Sequence, residues 1–192
     1  MPNQTHSYIP LPQLYLIRHC QASGQAPEAP LTARGYQQAE ALSDLLSSFP
    51  IEYILSSPYR RARETALPLA HARQLELATD ERLVERTLSA TPREDWLDCL
   101  RQTFDDPDLC FEGGESSRAA TTRAIAALRD LQQRQHMTSA LVTHGNLAAL
   151  LLKHFDPSIN FASWQAMRTP DIYRLTFSED SLATIEHIEH TV

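Results

Sequence analysis

Short apolar runs alternate along this chain with longer segments whose apolar residues recur at helical spacing. The runs at 14–17 (LYLI), 51–55 (IEYIL) and 139–143 (SALVT) have the length and composition of buried strands. Between the first two runs, a helix is predicted from a Thr32 cap to about Phe49. Its apolar positions are Tyr36, Ala39, Leu42, Leu45, Leu46 and Phe49. The pattern therefore predicts strands that alternate with helices.

The second apolar run leads directly into another helix, predicted over 58–73. Ser57 would be its N-cap and Pro58 its first helical residue, because both residue types favour a helix start. One face of this helix is apolar, through Ala62, Ala66, Leu69 and Ala70. A short strand at 75–77 is expected to follow.

Beyond residue 80 the pattern becomes less regular. The remaining predicted elements are a helix near 92–104 with Pro92 in its first turn, a helix from Ser116 or Ser117 to about Gln135, a helix over 147–155, and a hairpin of strands 172–177 and 182–188 joined by 178–181. Gly113 and Gly114 break the chain before the second of these helices.

Alternating strands and helices predict an α/β fold, a three-layer α/β/α sandwich with a mainly parallel sheet. The length of 192 residues is typical of one domain. Residues 1–12 contain three prolines and are interpreted as an extended N-terminal arm. Residues 13–192 then form a single domain, in which 80–112 is an irregular, partly helical insertion over the site.

Charge and cysteine content restrict the classes of partner. The 17 basic and 24 acidic residues give a net charge of −7, which argues against nucleic acid or an anionic membrane surface as the partner. The three cysteines are widely spaced and resemble neither a disulfide framework nor a zinc site, so a cytoplasmic location is expected. No signal peptide is evident, and no apolar run reaches the roughly 18 residues that a membrane helix needs.

Three predicted strands end in residues that can carry chemistry: Arg18-His19, Ser57-Pro58 and His144-Gly145. Parallel sheets bind ligands beyond the carboxyl ends of their strands, so these turns are expected to converge on one edge. The helix after Pro58 adds Arg60, Arg61 and Arg63. Arginine binds phosphate oxygens in pairs, and helix N-termini favour anions, so this edge suits a phosphoryl group.

A neutral imidazole at this edge can attack phosphorus and form a phosphohistidine. Other interpretations remain open on the residues alone. A strand-end histidine can be structural, and the arginine cluster can be a solvated face paired with Glu64. Cys20 has the residue type of a nucleophile, although a small buried hydrophobe is the favoured role. A metal site of His19, Cys20 and His144 is disfavoured, because adjacent residues rarely face one metal, so no metal is expected.

Six segments, in this order, resemble the histidine phosphatase superfamily, also called phosphoglycerate mutase-like. They are LYLIRHC (14–20), LTARGYQQAEAL (31–42), SSPYRRARETA (56–66), ERLVER (81–86), GGES (113–116) and LVTHGN (141–146). The resemblance implies that His19 is the phosphorylated nucleophile and that Arg18 and Arg61 clamp the phosphate. It implies that His144 bonds the phosphoryl oxygens. It places Glu85 at the position of the proton donor, with Glu81 as its nearest rival.

The chain departs from the family pattern at three places. Cys20 stands where Gly or Ala usually follows the first histidine, and the residue is still small. Gln25 stands where an Asn commonly contacts phosphate, so the amide is kept on a longer side chain. The glycine-rich stretch that commonly follows the acidic residue is replaced by RTLSATPRED (86–95) after Glu85.

The predicted function is a phosphatase that hydrolyses a small phosphomonoester through a phosphohistidine on His19, with no cofactor. Alternatives within the family are a phosphoglycerate-type mutase and a protein phosphohistidine phosphatase. An inactive module that binds a phosphate ligand is the alternative of another class. The sequence indicates neither the identity of the substrate nor the oligomeric state.

Overall fold

A six-stranded sheet with helices on both faces forms the core of the protein. The structure, a computed structural model, describes residues 12–134, 136–178 and 183–192. The strands are β1 (Gln13–Arg18), β2 (Tyr53–Ser56), β3 (Leu77–Thr79), β4 (Thr138–Thr143), β5 (Asp171–Phe177) and β6 (Ala183–His187). The helices are α1 (Ala33–Leu46), α2 (Arg60–Arg73), α3 (Trp96–Asp105), α4 (Ser117–Gln132), α5 (Gly145–Phe155) and α6 (Phe161–Ala166), and a 3₁₀ turn covers Glu81–Leu83.

The sheet has the strand order β3-β2-β4-β1-β5-β6. The first four strands are parallel, with Ile54 of β2 opposite Ala140 of β4, and Leu16 of β1 opposite Leu141. Strand β5 pairs antiparallel with β1, and β6 pairs antiparallel with β5. The prediction of a mainly parallel sheet is therefore confirmed.

The two faces of the sheet bury separate apolar clusters. Successive side chains of a strand point to opposite faces, so Leu14 and Leu16 join one cluster while Tyr15 and Ile17 join the other. The first cluster contains the buried residues of α4 and α5, and the second contains those of α1 and α2. This arrangement gives the three α/β/α layers that the pattern predicted.

Helix α1 begins as predicted and ends earlier. The Thr32 hydroxyl accepts the Gly35 N–H at 3.0 Å, which confirms the cap. The helix ends at Leu46 instead of Phe49, and Arg73 of α2 donates to the carbonyls of Leu46 and Ser47, which satisfies acceptors that the helix end leaves free. Tyr36, predicted on the apolar face, is 44% exposed.

Helix α2 begins at Arg60, so the prediction of Ser57 as its N-cap and Pro58 as its first residue was wrong. Tyr59 is the N-cap residue and makes no side-chain capping bond. The physical reason is that the Ser57 hydroxyl bonds His144 and accepts the N–H of Tyr59, so it supports the turn before the helix and bonds no N–H of the helix itself. The predicted apolar face is confirmed, because Ala62, Ala66, Leu69 and Ala70 are buried.

The other boundaries shift by a few residues. Strand β2 lies at 53–56 instead of 51–55, β3 at 77–79 instead of 75–77, and α3 starts at Trp96 instead of near Pro92. Ser116 is the cap of α4, while the Ser117 hydroxyl donates to Thr103. Helix α5 starts at Gly145, two residues before the prediction, and α6 was not predicted.

Two predicted features fall partly outside the described residues. The strands of the C-terminal hairpin are confirmed as β5 and β6, but most of their connection lies outside, as does the predicted arm except Pro12. The segment 80–112 contains the 3₁₀ turn and α3, and its status as an insertion in a single domain stays a prediction. Within the described residues, no helix is both long and apolar enough to cross a membrane.

Candidate active site

The three predicted turns lie side by side at the carboxyl ends of neighbouring strands. Because β2, β4 and β1 are adjacent and parallel, their last residues reach the same edge. The backbone hydrogen bonds to β4 continue one residue past the ends of β1 and β2. His19 N–H donates to the Thr143 carbonyl and Ser57 N–H donates to the Val142 carbonyl, both at 2.9 Å. The sheet itself therefore brings His19, Ser57 and His144 together.

His19 is held in one tautomer by its own backbone neighbour. Its Nδ1 lies 2.6 Å from the Cys20 carbonyl oxygen, which can only accept, so Nδ1 carries the proton. The other ring nitrogen, Nε2, keeps its lone pair and accepts a bond from Arg61 Nε at 3.1 Å. Burial, assisted by Arg61 and Arg18 and opposed by the bond to Cys20, lowers the pKa of His19 to about 3. The ring is thus neutral near pH 7.

Arg61 is the arginine of α2 that reaches the strand ends. It is 1% exposed, and its Nη1 donates to the carbonyls of Gln25 and Ala26 at 3.0 and 2.9 Å. Burial lowers its pKa, against the opposing effect of Glu85. Arg60 instead pairs with Glu64 on the surface. The loop 21–30 therefore fixes Arg61 through its backbone.

His144 is fully buried beside His19 and Arg61. Its Nε2 is 2.8 Å from the Ser57 hydroxyl, and its ring centroid is 5.2 Å from that of His19. Its Nδ1 is buried and has no hydrogen-bond partner among the described residues. Burial is the main cause that lowers the pKa of His144 well below its usual value, and His19 and Arg61 add to it.

Arg18 lies across the start of α5. Its Nη1 donates to the Met167 carbonyl at 2.9 Å, and its Nε is buried without a partner in the described part of the chain. A side chain at Gly145 would place Cβ only 3.0 Å from Arg18 Nε and Cζ. The glycine after His144 therefore leaves room for the Arg18 guanidinium. Burial lowers the pKa of Arg18, against the opposing effects of Glu85 and Asp171.

Glu85 reaches this edge and Glu81 does not. The Thr143 hydroxyl holds the Leu83 carbonyl at 2.8 Å, which brings the chain after the 3₁₀ turn to the end of β4. The two carboxylate oxygens of Glu85 then accept the backbone N–H groups of Arg86, Asn146 and Leu147 at 2.9–3.0 Å. Glu81 is exposed on the 3₁₀ turn.

A cavity of about 500 Å³ opens beside these residues. It is lined by Arg18, Gln25, Glu85, Arg86, Leu88, Trp96, Leu100, Gly145, Asn146 and Trp164. His19, Arg61 and His144 are nearly buried, at 7%, 1% and 0% exposure, and do not line it. We call Arg18, His19, Arg61 and His144 the strand-end cluster, and Arg18 is the member of this cluster that lines the cavity.

Part of the cavity lining is apolar. Leu88, Trp96, Leu100 and Trp164 line it, and we call them the apolar wall. The rings of Trp96 and Trp164 meet edge to face, with centroids 6.4 Å apart and an angle of 87° between planes. Sequence reasoning missed these residues, because Trp164 lies on the unpredicted α6 and Trp96 was not assigned to the site.

Two hydroxyl groups that support the strand-end cluster were also missed. Ser57 bonds His144, and Thr65 Oγ1 accepts the Cys20 N–H at 3.0 Å while it donates to the Arg61 carbonyl at 2.8 Å. Thr65 thereby ties the turn after His19 to α2. Both residues lie inside the SSPYRRARETA segment, so the motif itself was the available signal.

Cys20 is a buried, protonated thiol. It is fully buried, and burial raises its pKa to about 12, against the smaller effect of Thr65. A thiol that stays protonated is a poor nucleophile, which favours its role as a small core residue. All three cysteines are free. The described ranges contain no group of three or more His, Cys, Asp or Glu side chains that could hold a metal ion.

The fold and the edge together define an α/β protein with two neutral histidines and two arginines at the carboxyl ends of parallel strands. The family model of the histidine phosphatase superfamily (branch 1) matches residues 14–189. The chain belongs to this superfamily, which confirms the family and the enzyme class, phosphoric monoester hydrolases of the histidine phosphatase type, that the motifs predicted.

Individual relatives carry different activities in their names. A probable phosphoglycerate mutase, GpmB, of Proteus mirabilis is 32% identical over 161 residues, 73% of each chain. Phosphoserine phosphatase 1 of Hydrogenobacter thermophilus is 28% identical over 148 residues, 69% of this chain and 70% of the relative. The solved structure of a mycobacterial glucosyl-3-phosphoglycerate phosphatase has a TM-score of 0.74 at 23% identity, covers 92% of this chain and 96% of its own, and shows the shared fold.

Proposed function

We propose that the protein is a phosphatase that hydrolyses a small phosphomonoester through a phosphohistidine on His19. The observation that carries this proposal is the hydrogen bonding of the His19 ring. Nδ1–H donates a hydrogen bond to the Cys20 carbonyl, and Nε2 keeps a lone pair beside Arg61. A nucleophilic imidazole needs this tautomer and a neutral ring, and the lowered pKa of His19 supplies the second condition.

In the first step, His19 Nε2 attacks phosphorus and the bond from phosphorus to the ester oxygen breaks. The departing oxygen takes a proton from Glu85 in its protonated form, which releases the alcohol. In the second step, water attacks the phosphorus of phospho-His19 and gives a proton to Glu85. The P–N bond breaks, its electron pair returns to Nε2, and inorganic phosphate is released.

The other members of the strand-end cluster stabilise the transferred phosphoryl group. Arg18 and Arg61 donate N–H groups to its oxygens, and the buried Arg18 Nε is free of protein partners among the described residues. His144 donates from Nδ1 when the Ser57 hydroxyl donates its proton to Nε2, since that pairing places the ring proton on Nδ1. Gln25 contributes its amide from the cavity side.

The position of Glu85 supports it over Glu81 as the proton donor. Glu85 lines the same cavity as Arg18, and its carboxylate is fixed by three backbone N–H groups at the start of α5. A carboxyl group fixed beside the arginines can meet the ester oxygen without a rearrangement of the chain. Glu81 would have to leave the protein surface to do so.

The alternative is a phosphoglycerate-type mutase, which the name of the Proteus mirabilis relative supports. A mutase returns the phosphoryl group from phospho-His19 to its substrate, so it releases an isomer and little inorganic phosphate. Incubation with 3-phosphoglycerate separates the two activities. We expect inorganic phosphate to account for the phosphoryl group lost, and accumulation of the 2-phospho isomer would contradict this.

A rapid-quench experiment with p-nitrophenyl phosphate tests the nucleophile. We expect a burst of p-nitrophenol equal to the enzyme concentration and a phosphoenzyme that is labile to acid and stable to base. His19→Ala should abolish both, whereas His71→Ala, on the exposed surface of α2, should change neither. Near-normal turnover by His19→Ala would contradict the proposal. Phosphate binding without turnover in the unmodified protein would indicate an inactive binding module instead.

A further inference from the structure

We propose that the alcohol part of the substrate is apolar and contains a flat ring, which binds against the apolar wall. This inference rests on the proposed function, since it assumes that the phosphate group binds at the strand-end cluster. The strand-end cluster reaches the apolar wall through Arg18. Arg18 and Glu85 line the same cavity as the two tryptophans of the wall. A phosphomonoester held by Arg18 therefore extends its alcohol part towards the wall.

The apolar wall presents more apolar surface to solvent than the fold needs. Trp96 is 49% exposed, although it begins a helix whose Cys99, Leu100 and Phe104 are buried. Trp164 is partly buried and rests on Phe161, with ring centroids 5.4 Å apart, and Phe161 contacts Phe104 in turn. This stacking holds Trp164 in place. A ligand that covers the wall removes apolar surface from water, which favours binding.

The two tryptophan rings form a corner that matches a flat ligand ring. Their planes are nearly perpendicular, so a ring that stacks on one tryptophan meets the other edge to face. Aromatic rings prefer both of these arrangements. The cavity volume of about 500 Å³ lies in the range of pockets that bury whole small ligands, and it exceeds the space that a phosphate group fills.

The lining of the cavity also includes charged groups. Arg18 and Arg86 are its arginines, and Arg18 serves the phosphate. Arg86 is 5% exposed and directs its Nε to the Glu115 carbonyl and its Nη1 to the Thr103 hydroxyl, both at 2.8 Å. Its Nη2 is buried and has no hydrogen-bond partner among the described residues. The fold therefore holds Arg86 through two of its nitrogens, and the apolar wall supplies the contacts for the alcohol part.

Two substrates with alcohols of similar acidity test the inference without a change in leaving-group chemistry. We expect kcat/KM for 2-phenylethyl phosphate to exceed that for ethyl phosphate by at least about tenfold, because the phenyl ring buries apolar area on the wall. 3-Phosphoglycerate should be no better than ethyl phosphate. Trp96→Ala should reduce the preference to about threefold or less.

Leu97→Ala is the matched control, because Leu97 is the next residue of α3, is 38% exposed and does not line the cavity. It should keep the full preference. A preference that is absent in the unmodified enzyme, or that survives Trp96→Ala, would overturn the inference. So would a substrate order in which 3-phosphoglycerate comes first.

Binding of non-hydrolysable phosphonates separates this inference from the proposed function. Calorimetric titration with 2-phenylethylphosphonate and ethylphosphonate measures the contribution of the apolar wall to binding, without turnover. Tighter binding of the phenyl compound, weakened by Trp96→Ala, supports the wall even if no phosphate ester is hydrolysed, and in that case the proposed hydrolysis fails alone. Equal Kd values for the two phosphonates would overturn the inference while hydrolysis of p-nitrophenyl phosphate continued to support the phosphatase.

Discussion

The strand-end cluster and the apolar wall meet at one cavity, which Arg18 and the wall residues line, and they are built in different ways. The cluster stands on adjacent parallel strands and on α2, and each of its side chains bonds a backbone or buried polar group. The wall comes from the segment after Glu85, from α3 and from α6, and it is held by apolar packing. Phosphoryl chemistry and substrate selection are therefore expected to vary independently.

The two regions also differ in their most extreme exposures. Arg61 and His144 are 1% and 0% exposed, whereas Trp96 is 49% exposed. A buried, hydrogen-bonded group has one position for every substrate, while an exposed side chain contacts only those substrates that reach it. Substitutions in the cluster should lower the turnover of all phosphomonoesters alike, and substitutions in the wall should change the order of substrates.

The largest effect is expected for Arg61→Ala, which removes a guanidinium that the proposed mechanism places on the phosphoryl oxygens. We expect kcat/KM to fall by about 10³-fold for p-nitrophenyl phosphate and by the same factor for 2-phenylethyl phosphate. Arg63→Ala, on the exposed face of α2, should change little. Thermal unfolding of each variant checks that the buried site still folds. Losses that differ by more than about tenfold between the two substrates would show that the cluster also selects substrates.

Glu85 lies where the strand-end cluster and the apolar wall meet, and Glu85→Gln tests its role as the proposed proton donor. Without a proton donor, we expect kcat/KM for 2-phenylethyl phosphate to fall by about 10²-fold, because its alkoxide is a poor leaving group. p-Nitrophenyl phosphate, whose phenolate leaves unaided, should lose far less. Glu81→Gln serves as the control on the exposed 3₁₀ turn. An equal loss on both substrates would indicate that Glu85 only holds the start of α5.

Burial of His19 should also appear in the pH dependence of stability. Its pKa is about 3 in the folded protein, against an ordinary value of 6.5, so below pH 6.5 only the unfolded chain takes up the proton. Stability is therefore lost as the pH falls from 6.5 towards 3. Between pH 7 and pH 5, we expect His19→Asn to lose about 2 kcal/mol less unfolding free energy than the unmodified protein.

Urea unfolding at the two pH values measures this difference. Trp96→Phe is the matched wall variant and should keep the pH dependence of the unmodified protein. The same slope for His19→Asn and for the unmodified protein would show that His19 is protonated in the folded state above pH 5.

The smallest of these effects is expected for Ser57→Ala, which leaves His144 without its partner. We expect kcat/KM to fall by about tenfold on every substrate, because the ring loses the bond that sets its tautomer. Ser57→Thr keeps the hydroxyl and should recover most of the activity. Ser56→Ala removes the neighbouring buried hydroxyl, which donates to the Ser57 carbonyl, and should cost less. Normal activity in Ser57→Ala would show that the bond from Ser57 to His144 is not needed for turnover.

The strand-end cluster was largely predictable because its residues follow strong local patterns. The apolar runs of β1 and β4 end directly at His19 and His144, and the Thr32 cap marks the helix between. Parallel pairing then brings the turns together. The start of α2 was not predictable from local preference. Ser57 has the residue type of a helix cap, but its hydroxyl bonds His144 and caps no N–H of α2.

The apolar wall was not predictable for a different reason. Helix α6 is only six residues long, which is too short for a periodic apolar pattern to mark it, and Trp164 is far in sequence from Leu88 and Trp96. The bond from Arg18 to the Met167 carbonyl is equally silent in the sequence, since every residue offers a carbonyl oxygen. These contacts depend on how distant segments pack, which no local pattern encodes.

The position of the two tryptophans has a spectroscopic consequence. The chain contains only two, Trp96 and Trp164, and both lie on the apolar wall. Tryptophan fluorescence excited at 295 nm therefore originates at this cavity and nowhere else in the molecule. The unlabelled protein carries its own optical reporter of ligand arrival, and the two single Trp→Phe variants assign each part of the signal to one side of the corner.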